Sequence, residues 1–79
     1  MAWYKNAKHL DRRVNLEFDR LHEPGSRGGW SGIYRCEGCG REIVHIRESA
    51  LPTQNHHQHT NDQGAIKWRL IVTDARDPY

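Results

Sequence analysis

Apolar positions divide this chain into two unlike halves. Ala7, Leu10, Val14, Phe18 and Leu21 recur at steps of three and four, which lines them on one helical face. Pro24-Gly25 would end such a helix. Val14, Leu16 and Phe18 also alternate as strand residues do, but that template accounts for fewer positions. Residues 1–23 are expected to be a charged N-terminal arm, helical by the better-matched pattern or ordered only on docking.

The second half has the period of strands. Residues 24–32 form a loop by composition, with Pro24, Gly25, Gly28, Gly29 and Gly32 close together. Ile33-Tyr34-Arg35 and Glu42–Arg47 are rich in strand formers and flank a tight turn. Ile66, Trp68, Leu70 and Val72 alternate with Lys67, Arg69, Ile71 and Thr73, the pattern of a strand with one buried face. That face should meet Ile33 or Tyr34 and Val44 or Ile46. A domain over residues 33–73 and a short tail over 74–79 complete the expected organisation.

Between the strands lie the residues that carry chemistry. Cys36-Glu37-Gly38-Cys39-Gly40 holds both cysteines of the chain, and His56-His57-Gln58-His59 holds three of its six histidines. Two thiolates two residues apart can bind one ion from a single turn, and His56 with His59 repeats that gap. Thiolate and imidazole ligands suit tetrahedral zinc better than calcium or magnesium. The candidate ligands are Cys36, Cys39 and two of His56, His57 and His59. His56 with His59 keeps the spacing of the cysteines, while His57 with His59 would share a face of an extended segment. Gly40 beside the second cysteine fits a turn whose amides point back at sulfur, which often needs a positive φ.

Size makes a metal staple useful. The chain has 79 residues, 35% of them hydrophobic, and at that size one core rarely supplies more than ~3–5 kcal/mol. A disulfide between Cys36 and Cys39 is the competing use of the thiols, but no helical pattern follows Cys39 as a thioredoxin-like site needs. The first residues lack the apolar core of a signal peptide, and no run has membrane-spanning length. A cytoplasmic protein with reduced, metal-binding thiols is expected.

Ser31-Gly32-Ile33-Tyr34-Arg35-Cys36-Glu37-Gly38-Cys39-Gly40, then Glu42-Ile43 and Leu51-Pro52, resembles the small bacterial zinc-ribbon proteins. Their pattern runs G-x-Y-x-C-x-x-C-G, a strand, then a leucine-proline turn into a second cysteine pair. The resemblance covers about residues 31–72 and implies a rubredoxin-like, three-stranded antiparallel sheet with a structural zinc. It departs where the second pair would fall, because this chain has Gln54-Asn55-His56-His57-Gln58-His59 there. Alignment to that pattern places His57 at the fourth cysteine.

His9, His22 and His45 stand alone in the sequence and are expected at the surface or behind the ligands. Trp68 is expected in the core, and Trp30 packed on the strands. Residues 1–35 carry seven basic and four acidic side chains, residues 36–79 five and six. That split is too mild for a duplex-binding stripe. A closed four-ligand site leaves no position for water. The expected function is therefore a non-catalytic zinc module for a macromolecular partner, protein ahead of nucleic acid, with no membrane role. The alternatives are a small zinc hydrolase using Glu37 or Glu42, or a metal carrier or sensor.

Overall fold

A computed structural model describes residues 2–27, 29–52, 59 and 61–74. Three strands form one antiparallel sheet in the order β2-β1-β3, where β1 is Gly32–Cys36, β2 is Glu42–His45 and β3 is Trp68–Thr73. The central strand β1 pairs Tyr34 with Ile43 on one side and with Leu70 on the other. One face of the sheet therefore collects Tyr34, Cys36, Ile43, Trp68 and Leu70. Tyr34, Cys36, Trp68 and Leu70 are buried there with Leu51 and Ile66, and Phe18, Trp30, Cys39 and Ile43 pack against them.

Two inward positions differ from the sequence expectation. Ile66, Trp68 and Leu70 face the core, but Val72 does not continue their row. Ile33 pairs with Val72 while Tyr34 pairs with Leu70, so Ile71 is an extra residue in β3. A bulge reverses the alternation beyond it, and Val72 joins Ile33 on the outer face. In β2 the other phase wins. Val44 and Ile46 are 80% and 67% exposed, while Ile43 packs inward and His45 is buried. His45 fills its place with a ring, 5.1 Å from the Tyr34 ring and nearly perpendicular to it, the edge-to-face arrangement that aromatic quadrupoles favour.

The arm contains no α-helix among the described residues. Ala7–His9 and Leu16–Phe18 are single 3₁₀ turns separated by extended chain. Asn15 explains the second turn, because its side chain accepts the amide N–H of Glu17 and offers the backbone a local alternative to a helix. A helix this short also needs a packed face, and Leu10, Val14 and Leu21 remain exposed.

The arm's last turn nevertheless belongs to the fold. His22 exchanges both backbone hydrogen bonds with Trp68, at 2.8 and 3.0 Å, and Phe18 lies on the core. The core thus draws on Phe18 and His22 of the arm. His22, expected at the surface or behind the ligands, is buried with its ring edge-on to Tyr34 at 5.5 Å. Farther along, Leu51 donates to Ser26 and Gly25 donates to Pro52, so the loop after the arm is tied to the segment that buries Leu51.

Two outcomes test this division. Removing residues 1–15 should leave a cooperative fold, whereas removing residues 1–23 should destabilise it by about 3 kcal/mol or more, comparable to truncating a buried aromatic. Urea unfolding of the two truncated chains measures the difference.

His22 gives the second. Burial first, then Arg20 and His45, hold its pKa below the usual 6.5, with Glu17 pulling the other way. A depressed folded pKa means that the native state binds fewer protons than the unfolded chain. The stabilisation is complete above the unfolded pKa of 6.5 and shrinks as pH falls below it toward the lower folded value. Comparison of wild type with His22→Gln should show an extra acid-dependent loss in wild type alone, since every other titratable side chain is common to both.

Candidate metal centre

The turn Glu37–Cys39 joins β1 to β2, and three backbone hydrogen bonds set its shape. Gly40 donates to the Cys36 carbonyl at 2.8 Å, Cys36 donates to Arg41 at 2.8 Å, and Glu37 donates to Lys67 at 2.9 Å. The last of these fastens the turn to the chain entering β3. Gly40 has φ 81°, the left-handed conformation expected beside the second cysteine. Neither thiol is in a disulfide; Cys36 is fully buried and Cys39 half-buried.

His59 approaches from the opposite side, ahead of a 3₁₀ turn at Asn61–Gln63. Its Nδ1 lies 2.8 Å from the Gly64 carbonyl. A carbonyl only accepts, so Nδ1 carries the proton and Nε2 presents its lone pair. That atom is 3.4 Å from Cys36 Sγ. Cys36 Sγ, Cys39 Sγ and a ring nitrogen of His59 all lie within 4.8 Å of one another. These three side chains can hold a metal ion. The sequence predicted all three, while His56 and His57 lie outside the described residues.

The surroundings favour the thiolate of Cys36. Burial pushes the Cys36 thiol up, but the backbone amides of Cys39, Gly38 and Lys67 and the Cys39 side chain outweigh it. The net result is a thiol held below its ordinary pKa, toward the thiolate that binds metal. The Gly64 carbonyl likewise fixes the tautomer and aim of His59, the usual task of a group behind a metal-binding imidazole.

Gly38 is the site residue for which sequence reasoning had no specific role. A Cβ built there would lie 2.5 Å from the Gln63 carbonyl oxygen and 2.7 Å from His59 Cε1. The imidazole rests on bare backbone, and only glycine admits it. A glycine between two cysteines was the available signal, but it also reads as ordinary turn composition. Of the two carboxylates named for the hydrolase alternative, Glu37 is exposed and forms an ion pair with Arg69 at 3.2 Å, and Glu42 is half-buried in β2.

No family model matches the chain, and no solved structure matches it. Among curated proteins, the chain is 52% identical over 56 residues to Protein L of Escherichia coli. The match covers 70% of this chain and 63% of that protein, so the chain spans less than two thirds of the length of the curated relative it matches.

Gly38→Ala should weaken metal binding by about 10–100-fold, the range for disturbed groups that orient ligands, because the methyl displaces His59 while both thiols remain. Competitive metal titration against a chromophoric chelator measures this. Unchanged affinity would show that His59 is not a ligand.

Proposed function

We propose that this chain is a non-catalytic zinc module of the zinc-ribbon type that presents a surface to a protein partner. The supporting observation is the convergence of Cys36, Cys39 and His59 from two turns that the sheet and the Glu37–Lys67 hydrogen bond bring together. Tetrahedral zinc with bonds of ~2.3 Å to sulfur and ~2.0 Å to nitrogen separates such atoms by about 3.5 Å. The 3.4 Å between Cys36 Sγ and His59 Nε2 accords with that ligand set. The fourth ligand in this reading is His56 or His57. Zinc closed by four protein ligands acts as a cross-link between turns, with no open position for substrate.

The partner surface in this reading is the arm. Trp3, Tyr4, Leu10, Val14 and Leu16 are exposed, and together they leave more apolar surface in one segment than a short solvated arm requires. The metal end supplies rigidity, and the arm end supplies the contact.

Protein prepared without an affinity tag should contain one zinc per chain. Cys36→Ser should lose the metal and the fold together, since a structural zinc contributes an apparent ~10–16 kcal/mol at neutral pH. Metal analysis and near-ultraviolet circular dichroism read the two losses. A metal-free, well-packed Cys36→Ser protein would overturn the proposal.

A further inference from the structure

Where the arm meets the sheet, a titratable ring is buried without a polar partner. His22 is 7% exposed, and its Nε2 makes no hydrogen bond. The wall beside that nitrogen is the bare backbone of Gly29, where a Cβ would lie 3.4 Å from Nε2 and 2.6 Å from the Tyr34 hydroxyl oxygen. That hydroxyl is turned to the Trp30 carbonyl. A neutral imidazole in such a place loses one hydrogen bond. An imidazolium there loses its hydration and gains no acceptor, a far larger cost.

The charged neighbours decide what a proton does to the contact. Glu17 and Arg20 act on the ring from the arm itself, and His45 acts on it from β2. Tyr34 of β1 meets it edge-on, and β3 offers the Trp68 backbone. Beside this contact Glu23 and Lys67 neutralise each other in an ion pair. The one attracting group, Glu17, is paired with Arg20 at 2.9 Å. It also lies in the same segment as His22, so it travels with the ring when the arm lifts. On the sheet, Tyr34 and His45 carry no negative charge at neutral pH. Attraction therefore stays on the arm, and the sheet offers a protonated ring nothing to hold it. Burial and Arg20 keep the ring below its usual pKa against Glu17, with His45 adding to the depression.

The attachment is also of a kind that can open alone. His22 and Trp68 form an isolated bridge, while Trp68 keeps its place opposite Cys36 in the β1–β3 ladder. Lifting the arm breaks the two backbone hydrogen bonds at His22 and the packing of Phe18. The ladders between the three strands are untouched, and segments with few buried contacts open below the global free energy.

We propose that His22 is a pH-sensitive latch: its neutral ring holds the arm against β3, and protonation of the ring frees the arm from a sheet that stays folded. The inference goes beyond the zinc-module reading, because neither a metal nor a partner enters it.

Native-state hydrogen exchange of the full chain, followed by NMR between about pH 8 and 5 where histidine changes charge, tests the latch. The His22 and Trp68 amides report the arm, and the Cys36 and Glu37 amides report the cysteine turn. After correction for the intrinsic pH dependence of exchange, the opening constant at His22 and Trp68 should rise by up to about tenfold per pH unit below 6.5. The Cys36 and Glu37 amides should not follow that rise. His22→Gln should abolish it at the Trp68 amide, and Glu17→Gln should keep it. An equal rise at all four wild-type amides makes His22 a gate of the whole fold and overturns the proposal. A rise that survives in His22→Gln, or one lost in Glu17→Gln, assigns the proton elsewhere and also overturns it. Should His22→Gln fail to fold, the wild-type ring titration decides. A midpoint below 6.5 that coincides with arm opening supports the latch, and a midpoint at or above 6.5 sinks it.

Discussion

Cys36 belongs at once to the apolar core and to the ligand cluster, and much of the structure depends on that double membership. Its side chain is fully buried, opposite Trp68 across β1 and β3, while its sulfur lies 3.4 Å from the His59 ring. A buried thiol in a purely apolar setting resists ionisation. Here the amides of Cys39, Gly38 and Lys67 supply the polar contacts that burial removes. The turn, the strand behind it and the start of β3 must therefore form together. Loss of any one leaves a buried sulfur without its donors, and burying an unsatisfied polar group is among the costlier defects in a small protein.

The other end of the sheet's inner face is finished by polar rings. His22 and His45 stand edge-on to Tyr34 from different elements, and the Tyr34 hydroxyl donates to the Trp30 carbonyl at 2.7 Å. His22 Nε2 is buried with no hydrogen-bond partner, so this end carries a polar cost. Its compensation is connectivity. Tyr34 and the His22–Trp68 backbone pair join β1, β2, β3, the loop and the arm around one side chain. In a chain with so few apolar residues, rings with a polar tip give more buried area per residue than aliphatic side chains do.

What the sequence made legible follows from how local each signal was. The cysteine turn, Gly40 in its left-handed conformation and the inward row Ile66, Trp68, Leu70 are properties of a few adjacent residues, and all are present. The phase of β2 was not legible. Glu42–Arg47 reads as a strand in either phase, and preferring Val44 and Ile46 over His45 uses hydrophobicity alone. Pairing of Ile43 with Tyr34 decides the matter, and pairing is a long-range fact. The bulge at Ile71 is equally invisible to alternation, since the pattern continues unbroken through Val72. Gly38 was hidden because its constraint comes from His59, far along the chain. For the arm, spacing suggested a helix, but Asn15 favours a local turn and only Phe18 and His22 find partners in the core.

These features give the molecule a gradient of local stability along the sheet. At the cysteine end, backbone hydrogen bonds from three chain segments converge on one turn, and opening it would expose the fully buried Cys36 and Trp68 together. At the arm end, one backbone pair at His22 and the packing of Phe18 hold a segment whose preceding residues are exposed. Regions with few buried contacts open at lower free energy than the core, so residues 2–15 can rearrange without disturbing the cysteine turn. The gradient also fixes where a partner can act. A ligand that reorders the arm works against few contacts, whereas one that reshaped the cysteine turn would have to break the core. In the proposed reading, a partner surface on the arm and a metal at the cysteine turn would therefore be mechanically independent. His22 is the point where that independence ends, because it joins the arm's backbone to the strand that carries Trp68.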